Sequence, residues 1–369
     1  MRSGLFMMPL HPPHRPLAET AAEDADKIIL AEQLGMDEAW VGEHFSAGSE
    51  PLASPLMFLA SVLPRTRRIR FGTGVIGLGY HHPAMVAAEV AQFDHMSEGR
   101  LILGIGAGGL ASDAELFGQP DVKLRGERMR EAIDMILALW SGDPPYRLEG
   151  KHWRIRLEEA LMPEYGVGFM QKPYQKPHPP IALSVVSANS VAMKVAALRR
   201  WIAVSANFIP TWSLVTHWPT YLAGCAEAGR APDPAAWRVA RNVIVADTDA
   251  EARAHAFDPE GASWYYFEYL WQLLHRRGLG AGMKPDPAIP DDQVTPSMLI
   301  EEMVIHGSPA TVTEKLVALR ERIGPFGTLL LAALDWSGAN AERERRSLTL
   351  MAEEVLPRFA QAVGKAAAA

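Results

Sequence analysis

The 369-residue chain carries a net charge of −7, and 48% of its residues are hydrophobic and 21% charged, as in an ordinary globular protein. This balance excludes the basic surface of a nucleic-acid-binding protein, and no apolar run is long enough to span a bilayer. The single cysteine, Cys225, excludes an internal disulfide framework and any multi-cysteine metal site. We therefore expect a cytoplasmic protein with no nucleic-acid or membrane partner.

The first 140 residues alternate short apolar runs with amphipathic segments, a pattern typical of β-strands followed by helices. Ser54 and Pro55 open one of these helices, and Ser54 is placed to cap it. The predicted elements in chain order are strand 4–10, helix 18–34, strand 38–41, a helix from Ser54, strand 69–76, helix 83–96, strand 101–105 and helix 125–140.

The alternation continues after residue 180 but is interrupted twice, since segments 141–180 and 257–305 are predicted to be insertions. The remaining predicted elements are strand 181–185, a helix from Asn189, strand 201–205, helix 212–229, strand 239–246, helix 249–256, helix 309–323, strand 328–333 and helix 341–363. Eight such units predict the α/β class and a single (β/α)8 TIM-barrel domain over residues 1–365, with insertions after strands 4 and 7.

The glycine-rich segment 104–109 matches G-x-G-x-x-G and follows a predicted strand. A Rossmann dinucleotide site also needs a helix that starts within the glycines, a second strand and an acidic residue about twenty positions later. Segment 110–118 is too short for that helix, and Glu127 and Glu131 lie on a charged helix. Two other interpretations remain: the glycines let a flat ligand approach the backbone, or they form a tight barrel turn.

Several motifs together resemble the bacterial-luciferase-like flavin-dependent monooxygenases. They are Glu43-His44-Phe45 after the second strand, TGVIGLGYHHP at 73–83 after the third, and DHMSEGRLILGIGAGG at 94–109. GLASD at 109–113 and KPYQKPHPP at 172–180 are similar to the limonene and alkane monooxygenase branch. The resemblance extends over nearly the whole chain and is weakest in 257–305.

The resemblance implies that reduced FMN binds at the carboxyl-terminal mouth of the barrel and reacts with O2. A C4a-peroxyflavin then delivers one oxygen atom to a small organic substrate, apolar or heteroaromatic, and a separate NAD(P)H-dependent flavin reductase supplies the reduced flavin. FAD and F420 are the other cofactors considered. A homodimer is expected, because family members commonly pair through this side of the barrel and helix 83–96 carries small residues at Ala84, Ala87, Ala88 and Ala91.

His44 is the predicted catalytic residue. It follows a strand at the end of the barrel where such enzymes keep their catalytic groups, and an imidazole exchanges protons near neutral pH. Glu43 is expected to orient or pack. By family position, His82 is predicted to line the flavin or substrate pocket. Phe45 and Met8 are also predicted to line the substrate pocket, and core packing is the favoured alternative for Met8 at the end of the first strand.

The predicted flavin site has two parts. The resemblance places a non-prolyl cis peptide at Gly74–Val75 against the flavin ring, near Gly106 and Ala107. Segment 187–190 (Ser187, Ala188, Asn189 and Ser190) starts a predicted helix, whose free backbone N–H groups suit a phosphate. Capping of that helix by Ser187 or Asn189 is compatible with this role. Luciferases place a phosphate-binding arginine where this chain has Ala107.

The sequence leaves three rival functions open: an F420-dependent oxidoreductase on the same fold, a flavin-binding protein without activity, and a metal-dependent barrel hydrolase. The hydrolase would need several histidines to gather around Glu43. The histidines considered are His11, His14, His44, His81 and His82. The aromatic block 263–271 either walls a substrate pocket or packs its insertion onto the barrel.

Overall fold

The computed structural model describes residues 1–368. The strands of this part of the chain are β1 (Arg2–Met7), β2 (Glu38–Val41), β3 (Arg70–Thr73), β4 (Ile76–Gly77), β5 (Leu101–Gly106), β6 (Tyr146–Glu149), β7 (Arg154–Leu157), β8 (Ile181–Val185), β9 (Ile202–Ser205), β10 (Trp237–Val245), β11 (Val304–Gly307) and β12 (Thr328–Ala332).

The helices are α1 (Leu17–Gln33), α2 (Pro55–Val62), α3 (Pro83–Met96), α4 (Ala111–Leu116), α5 (Val122–Ser141), α6 (Val191–Arg199), α7 (Thr211–Leu214), α8 (His217–Glu227), α9 (Asp249–Ala256), α10 (Ala262–His275), α11 (Pro296–Met303), α12 (Pro309–Ile323), α13 (Asn340–Leu350) and α14 (Leu356–Ala368). Ser54 caps α2 as predicted, since its Oγ accepts a hydrogen bond from Met57 N at 3.2 Å. None of the helices in residues 1–368 combines the length and apolar character needed to cross a membrane.

Eight strands follow one another around a closed ring, in the order β1, β2, β3, β5, β8, β9, β10 and β12. β12 pairs in parallel with β1, from Arg2 opposite Thr328 to Phe6 opposite Ala332, and this pairing closes the ring. The predicted (β/α)8 barrel is therefore confirmed. β11 lies outside the ring and pairs with the last four residues of β10.

The chain's contacts divide it into two compact units, which we call the larger unit (Met1–Ala39 and Leu183–Ala369) and the smaller unit (Trp40–Ala182). In the larger unit a buried ion pair joins Glu38 on β2 to Arg238 on β10. Nη2 of Arg238 donates to Oε1 of Glu38 at 2.8 Å, and Nε donates to Oε2 at 3.3 Å. This two-bond geometry satisfies charges that burial would otherwise make costly.

In the smaller unit, glycines allow the strands to pack around the buried ring of Trp40. A Cβ at Gly72 would lie 2.2 Å from that ring, and a Cβ at Gly104 would lie 1.8 Å from Thr73 O. Gly104 therefore serves the packing of β5. No helix starts within the glycine segment, because α4 begins at Ala111 and the next strands, β6 and β7, form an antiparallel hairpin. This arrangement excludes a Rossmann unit here.

The second insertion, 257–305, builds a hydrophobic cluster of its own in the larger unit. Its buried members include Tyr266, Phe267, Leu270 and Trp271 on α10, and Leu10, Ile244 and Leu334 join them from the strand ends of the same unit. The aromatic block thus packs the insertion onto barrel strands. This contact supports the packing interpretation of that block over the pocket wall.

Several predicted elements differ from the structure. Helix 212–229 is divided into α7 and α8, helix 341–363 is α13 and α14 with a π-helical segment between them, and strand 4–10 ends at Met7. Strand 69–76 is divided into β3 and β4. The strand is interrupted at Gly74, whose backbone N–H donates to Val41 O at 2.7 Å. The helix expected from Asn189 begins at Val191, since Asn189 has a left-handed φ of 51° that a helix cannot contain. β11 was not predicted, because its short apolar run follows helix α11 without a turn signal.

Candidate active site

His44 and Asp113 form a hydrogen-bonded pair in the smaller unit. Nδ1 of His44 lies 3.0 Å from Oδ2 of Asp113, and the imidazole is 16% exposed. The other ring nitrogen, Nε2, lies 3.7 Å from Oε2 of Glu50, too far for a hydrogen bond. Because the carboxylate can only accept, Nδ1 donates to it, and Nε2 is the nitrogen left to exchange a proton.

Asp113 stands on the short helix α4 and fixes the whole loop after β2. Its Oδ1 accepts hydrogen bonds from Phe45 N at 3.1 Å, from Ser46 N at 2.8 Å and from Ser46 Oγ. Burial raises the pKa of this carboxyl, but the hydrogen bonds from His44 and Ser46 outweigh burial and leave the pKa below its usual value. Asp113 is therefore ionised at neutral pH.

The same contacts favour the protonated form of His44. Burial lowers the pKa of the imidazole, but the hydrogen bond to Asp113 and the negative charges of Glu50, Asp113 and Glu43 raise it by more. The net result is a pKa above the ordinary histidine value. An imidazole of this kind is well suited to supply and recover a proton near neutral pH.

Glu43 holds the neighbouring loop after β4. Its buried carboxylate accepts from Gly77 N at 2.9 Å and from Nε2 of His81 at 3.0 Å. The bond and charge of Glu43, helped by Glu89, overcome the effect of burial and raise the pKa of His81. The expectation that Glu43 orients rather than catalyses agrees with these contacts.

An aromatic group lies beside the two histidines. Phe45 packs edge-on against Phe117 with 4.8 Å between ring centroids, and Phe117 stacks on Tyr80 at 5.1 Å. The ring of Phe45 also contacts His81 at 5.6 Å. Phe117 is 39% exposed, so an apolar surface remains open here.

The predicted flavin-ring residues of this unit lie on adjoining strand ends. The Gly74–Val75 peptide bond is cis, as the resemblance implies. Gly106 pairs directly with Gly77, and Leu78 N donates to Gly106 O at 2.9 Å. Beyond them, Ala107 carries only a methyl group, and a Cβ at Gly109 would meet no atom within 4 Å. Small residues thus form a surface that a flat ring can approach.

The contacts of His82 and Met8, two of the three residues predicted to line the substrate pocket, do not test that prediction. His82 is exposed, caps α3 by accepting from Ala84 N at 3.3 Å, and packs against Trp153 at 5.5 Å. Met8 is half-buried just after β1 in the larger unit. Phe45, in contrast, follows His44 in the chain and is a member of the aromatic group.

The predicted phosphate segment, 187–190, lies after β8 in the larger unit. Ser190, rather than Ser187 or Asn189, caps α6, since its Oγ accepts from Ala192 N at 3.3 Å. Asn189 N donates to Thr216 Oγ1 at 2.8 Å, so this predicted donor is already used. The segment's side chains at Ser187 and Asn189 are exposed.

His217, which is buried on α8, is hydrogen-bonded to the backbone of this segment. Its Nε2 donates to Ser187 O at 3.0 Å, and its Nδ1 accepts from Ser205 Oγ at 2.8 Å. Burial lowers the pKa of His217 to about 4. The hydrogen bond to Ser187 O raises this pKa slightly, and the positive charge of Arg241 lowers it further. His217 is therefore a neutral donor that holds the Ser187 carbonyl in place.

Three of the histidines proposed for a metal site are bonded to carboxylates of their own unit. His44 and His81 each bind their own carboxylate, and His11 is buried between Asp335 Oδ1 at 2.5 Å and Asp24 Oδ2 at 3.0 Å. Among the described residues, one set could hold a metal ion by geometry: His11, Glu23 and Asp24. Lys27 and Arg15 already neutralise these carboxylates, so the cluster is a closed ion-pair network.

Sequence reasoning missed Asp113 and His81 as members of the site. Asp113 was visible only as part of a motif, because 69 residues separate it from His44. His81 stands next to His82, and the sequence does not reveal which of the two faces Glu43. The one signal in the sequence was that Asp113 carries a carboxylate shortly after the fourth barrel strand, where functional residues of such barrels lie.

Comparison with known proteins gives a consistent result. 4-Hydroxyprotoasukamycin monooxygenase of Streptomyces nodosus subsp. asukaensis is 34% identical, over 96% of this chain and 91% of that protein. Limonene 1,2-monooxygenase of Rhodococcus erythropolis is 30% identical, over 96% and 86%. The FMN complex of the oxygenating constituent of 3,6-diketocamphane monooxygenase from Pseudomonas putida, a type II Baeyer–Villiger monooxygenase, superposes with a TM-score of 0.86 at 31% identity, over 97% and 98%.

A relative that uses another cofactor matches less of the chain: F420-dependent glucose-6-phosphate dehydrogenase of Amycolatopsis mediterranei is 30% identical over 46% of it. The family model for luciferase-like monooxygenases matches residues 1–325. The chain therefore belongs to the luciferase-like monooxygenase family, as its motifs predict.

Proposed function

We propose that this protein is the oxygenating component of a two-component, FMN-dependent monooxygenase that acts on a small apolar or heteroaromatic molecule. The His44–Asp113 pair carries the proposal, because it places a proton-exchanging imidazole in the same unit as the small residues of strand ends 74–75 and 106–107. Reduced FMN, when bound, supplies the two electrons with which one oxygen atom of O2 enters the substrate and the other leaves as water.

His44 Nε2 is the atom that we assign to proton transfer. The hydrogen bond from Nδ1 to Asp113 fixes the ring, and the ionised carboxylate stabilises the imidazolium. Asp113 is a positioning residue, since it acts through His44. Its bonds to Phe45 N and Ser46 N keep the loop from turning away from the site.

In the smaller unit, Gly74, Val75, Gly106 and Ala107 are the residues that we propose to lie against a flavin ring. In segment 187–190, the N-terminal end of α6 would face the phosphate with backbone N–H groups and the Ser190 hydroxyl. Arg125, one arginine that could replace the luciferase arginine, is engaged with Gln119 O and Pro120 O at 2.6 and 2.9 Å.

The proposed partners are an NAD(P)H-dependent flavin reductase and a second copy of the chain, in the cytoplasm. Of the small residues of α3, Ala87 and Ala91 are buried within the chain itself and cannot meet a partner, whereas Ala88 is exposed and Ala84 is half-buried. Met85 and Met96, which are 59% and 52% exposed on the same helix, are better suited to contact a partner. Met8, Phe45 and His82 remain the proposed pocket lining.

An isotope experiment tests the proposal. Purified protein receives photochemically reduced FMN, a panel of apolar and heteroaromatic compounds, and 18O2. We expect a product heavier by one 18O atom, and His44→Ala should lower its yield about 10²-fold while FMN binding changes little. An absence of labelled product from every compound, with FMN bound, would favour a flavin-binding protein without activity.

The F420-dependent alternative has one observation in its favour, the partial match to a sugar-phosphate dehydrogenase. An F420 enzyme moves a hydride without O2. Reduction of F420 under strict anaerobiosis, with no product dependent on O2, would favour this function instead.

A further inference from the structure

Two histidine–carboxylate pairs start from consecutive residues of one loop. His44 binds Asp113 through Nδ1, and Glu43 binds His81 through Nε2. Each imidazole is thus anchored by one nitrogen on a buried carboxylate and is still partly accessible, with 16% of the His44 side chain and 28% of the His81 side chain exposed. The first pair is used in the proposed proton transfer, whereas His81 of the second pair has no assigned role.

The anchoring of His81 determines which of its atoms can meet a ligand. Glu43 takes Nε2–H, so Nδ1 is directed away from that carboxylate and has no hydrogen-bond partner in residues 1–368. Glu43 and Glu89 raise the pKa of the ring above its ordinary value despite burial. Nδ1 therefore carries a proton over a wider pH range than in a free histidine and can act as a donor.

The His81 ring contacts an aromatic group. Its centroid lies 5.6 Å from that of Phe45, and the Phe45 ring is nearly perpendicular to the rings of Phe117 and Tyr80. A single charged donor beside an aromatic surface is the arrangement that selects an apolar molecule with one hydrogen-bond-accepting oxygen, because the ring surface rejects polar groups elsewhere on the ligand.

We infer that His81 is a specificity-determining residue whose Nδ1–H donates to an oxygen atom of the substrate while the substrate skeleton packs on Phe45 and Phe117. The inference rests on the proposed function and adds the class of substrate: an apolar molecule with one acceptor oxygen, such as a ketone. His82, exposed and capping α3, does not share the environment of His81.

Two substitutions distinguish this role from simple support of Glu43. The amide of asparagine reaches the position of Nδ1, and the amide of glutamine reaches the position of Nε2. His81→Asn therefore keeps the donor that the inference assigns to the substrate, and His81→Gln keeps the bond to Glu43. His95→Asn, at an exposed position on α3, is the matched control.

The measurement is the dissociation constant of cyclohexanone and of methylenecyclohexane for the FMN-loaded protein, followed by flavin fluorescence, with thermal midpoints recorded for each variant. These probes share a ring and differ in one exocyclic atom. We expect the wild type, His95→Asn and His81→Asn to bind the ketone about tenfold tighter, and His81→Gln to bind both equally. Every other pattern of ratios overturns the inference while leaving the proposed function in place. Failure of FMN to bind in the same titration overturns both.

Discussion

Oδ2 of Asp113 lies 3.0 Å from Nδ1 of His44, and this hydrogen bond favours the protonated form of the proposed catalytic imidazole. The two residues are 69 positions apart in the sequence, and the six-residue helix α4 brings Asp113 to the His44 loop. Asp113 also accepts from two backbone N–H groups of the loop, so the same carboxylate holds the loop in place and stabilises the charged imidazole.

Replacing Asp113 with asparagine should keep the shape of the loop and remove the charge. We expect turnover to fall about 10²- to 10⁴-fold, because the imidazole loses both its fixed tautomer and the charge that stabilises its protonated form. The pKa of His44 should fall, so the pH profile of turnover should shift to lower pH. Ser112→Ala, at an exposed neighbour on α4, is the control. An unchanged pH profile in the asparagine variant would contradict the assignment.

The ion-pair network around His11 should contribute strongly to stability. Asp335 accepts from His11 Nδ1 and Arg15 Nη1, both at 2.5 Å, and is 3% exposed. Asp335→Asn removes one of the two carboxylates to which His11 and Arg15 are each hydrogen-bonded, and it should lower the free energy of unfolding by about 3 kcal/mol, the low end of the range for breaking a buried pair. Asp247→Asn, which breaks an exposed pair with Arg346, should leave the urea midpoint almost unchanged. Equal midpoints for the two variants would refute this view of the network.

The same network predicts how stability depends on pH. The pKa of His11 is raised, so its contribution is complete below its unfolded value of 6.5 and is lost as pH rises through the folded value. The pKa values of Asp24 and Asp335 are lowered, so their contribution is present above the unfolded value of 3.8 and is lost on acidification. Urea midpoints should therefore peak between these limits, and the decline on the acid side should be shallower in Asp335→Asn.

The glycines of segment 104–109 differ in what they do, and a pair of alanine substitutions can show it. At Gly104 a Cβ would lie 1.8 Å from Thr73 O, whereas at Gly109 it would meet nothing within 4 Å. We expect Gly104→Ala to destabilise the protein by more than the about 1–3 kcal/mol typical of overpacking, and Gly109→Ala to be nearly neutral in thermal midpoint. Comparable losses in both variants would mean that the segment has a different conformation.

Periodic segments with clear end signals were predicted from the sequence to the residue. Helices 83–96, 249–256 and 309–323 each have an apolar stripe and a marked start, such as the Thr248 capping box or proline at the first position. The start of α6 was misplaced because Ser187, Asn189 and Ser190 are all good caps, and only the backbone conformation of Asn189 decides among them. The places of Asp113 and His81 in the site depend on hydrogen bonds to side chains of another loop. The spacing of hydrophobic residues carries no information about such bonds.

Oxygenation should require a separate source of reduced flavin. The glycine segment does not belong to a Rossmann unit, since no helix starts within it and the next strands, β6 and β7, are antiparallel. We therefore expect the chain to oxidise NADH slowly when given FMN alone. Adding an NAD(P)H-dependent flavin reductase should restore product formation. The check is NADH consumption at 340 nm alongside product yield, and rapid NADH oxidation by the chain alone would contradict the proposed two-component system.

The phosphate of FMN is predicted to lie at the start of α6, and the charge at Ser190 is the point at which to test it. Ser190 caps the helix, and aspartate and asparagine are both good caps, so either substitution should preserve the fold. Ser190→Asp adds a negative charge beside the phosphate and should weaken FMN much more than riboflavin, which lacks it. Ser190→Asn, with the same shape and no charge, should leave the ratio of the two dissociation constants near the wild-type value. Titrations of both flavins by fluorescence quenching measure that ratio, and equal weakening of FMN and riboflavin by the aspartate would place the phosphate elsewhere.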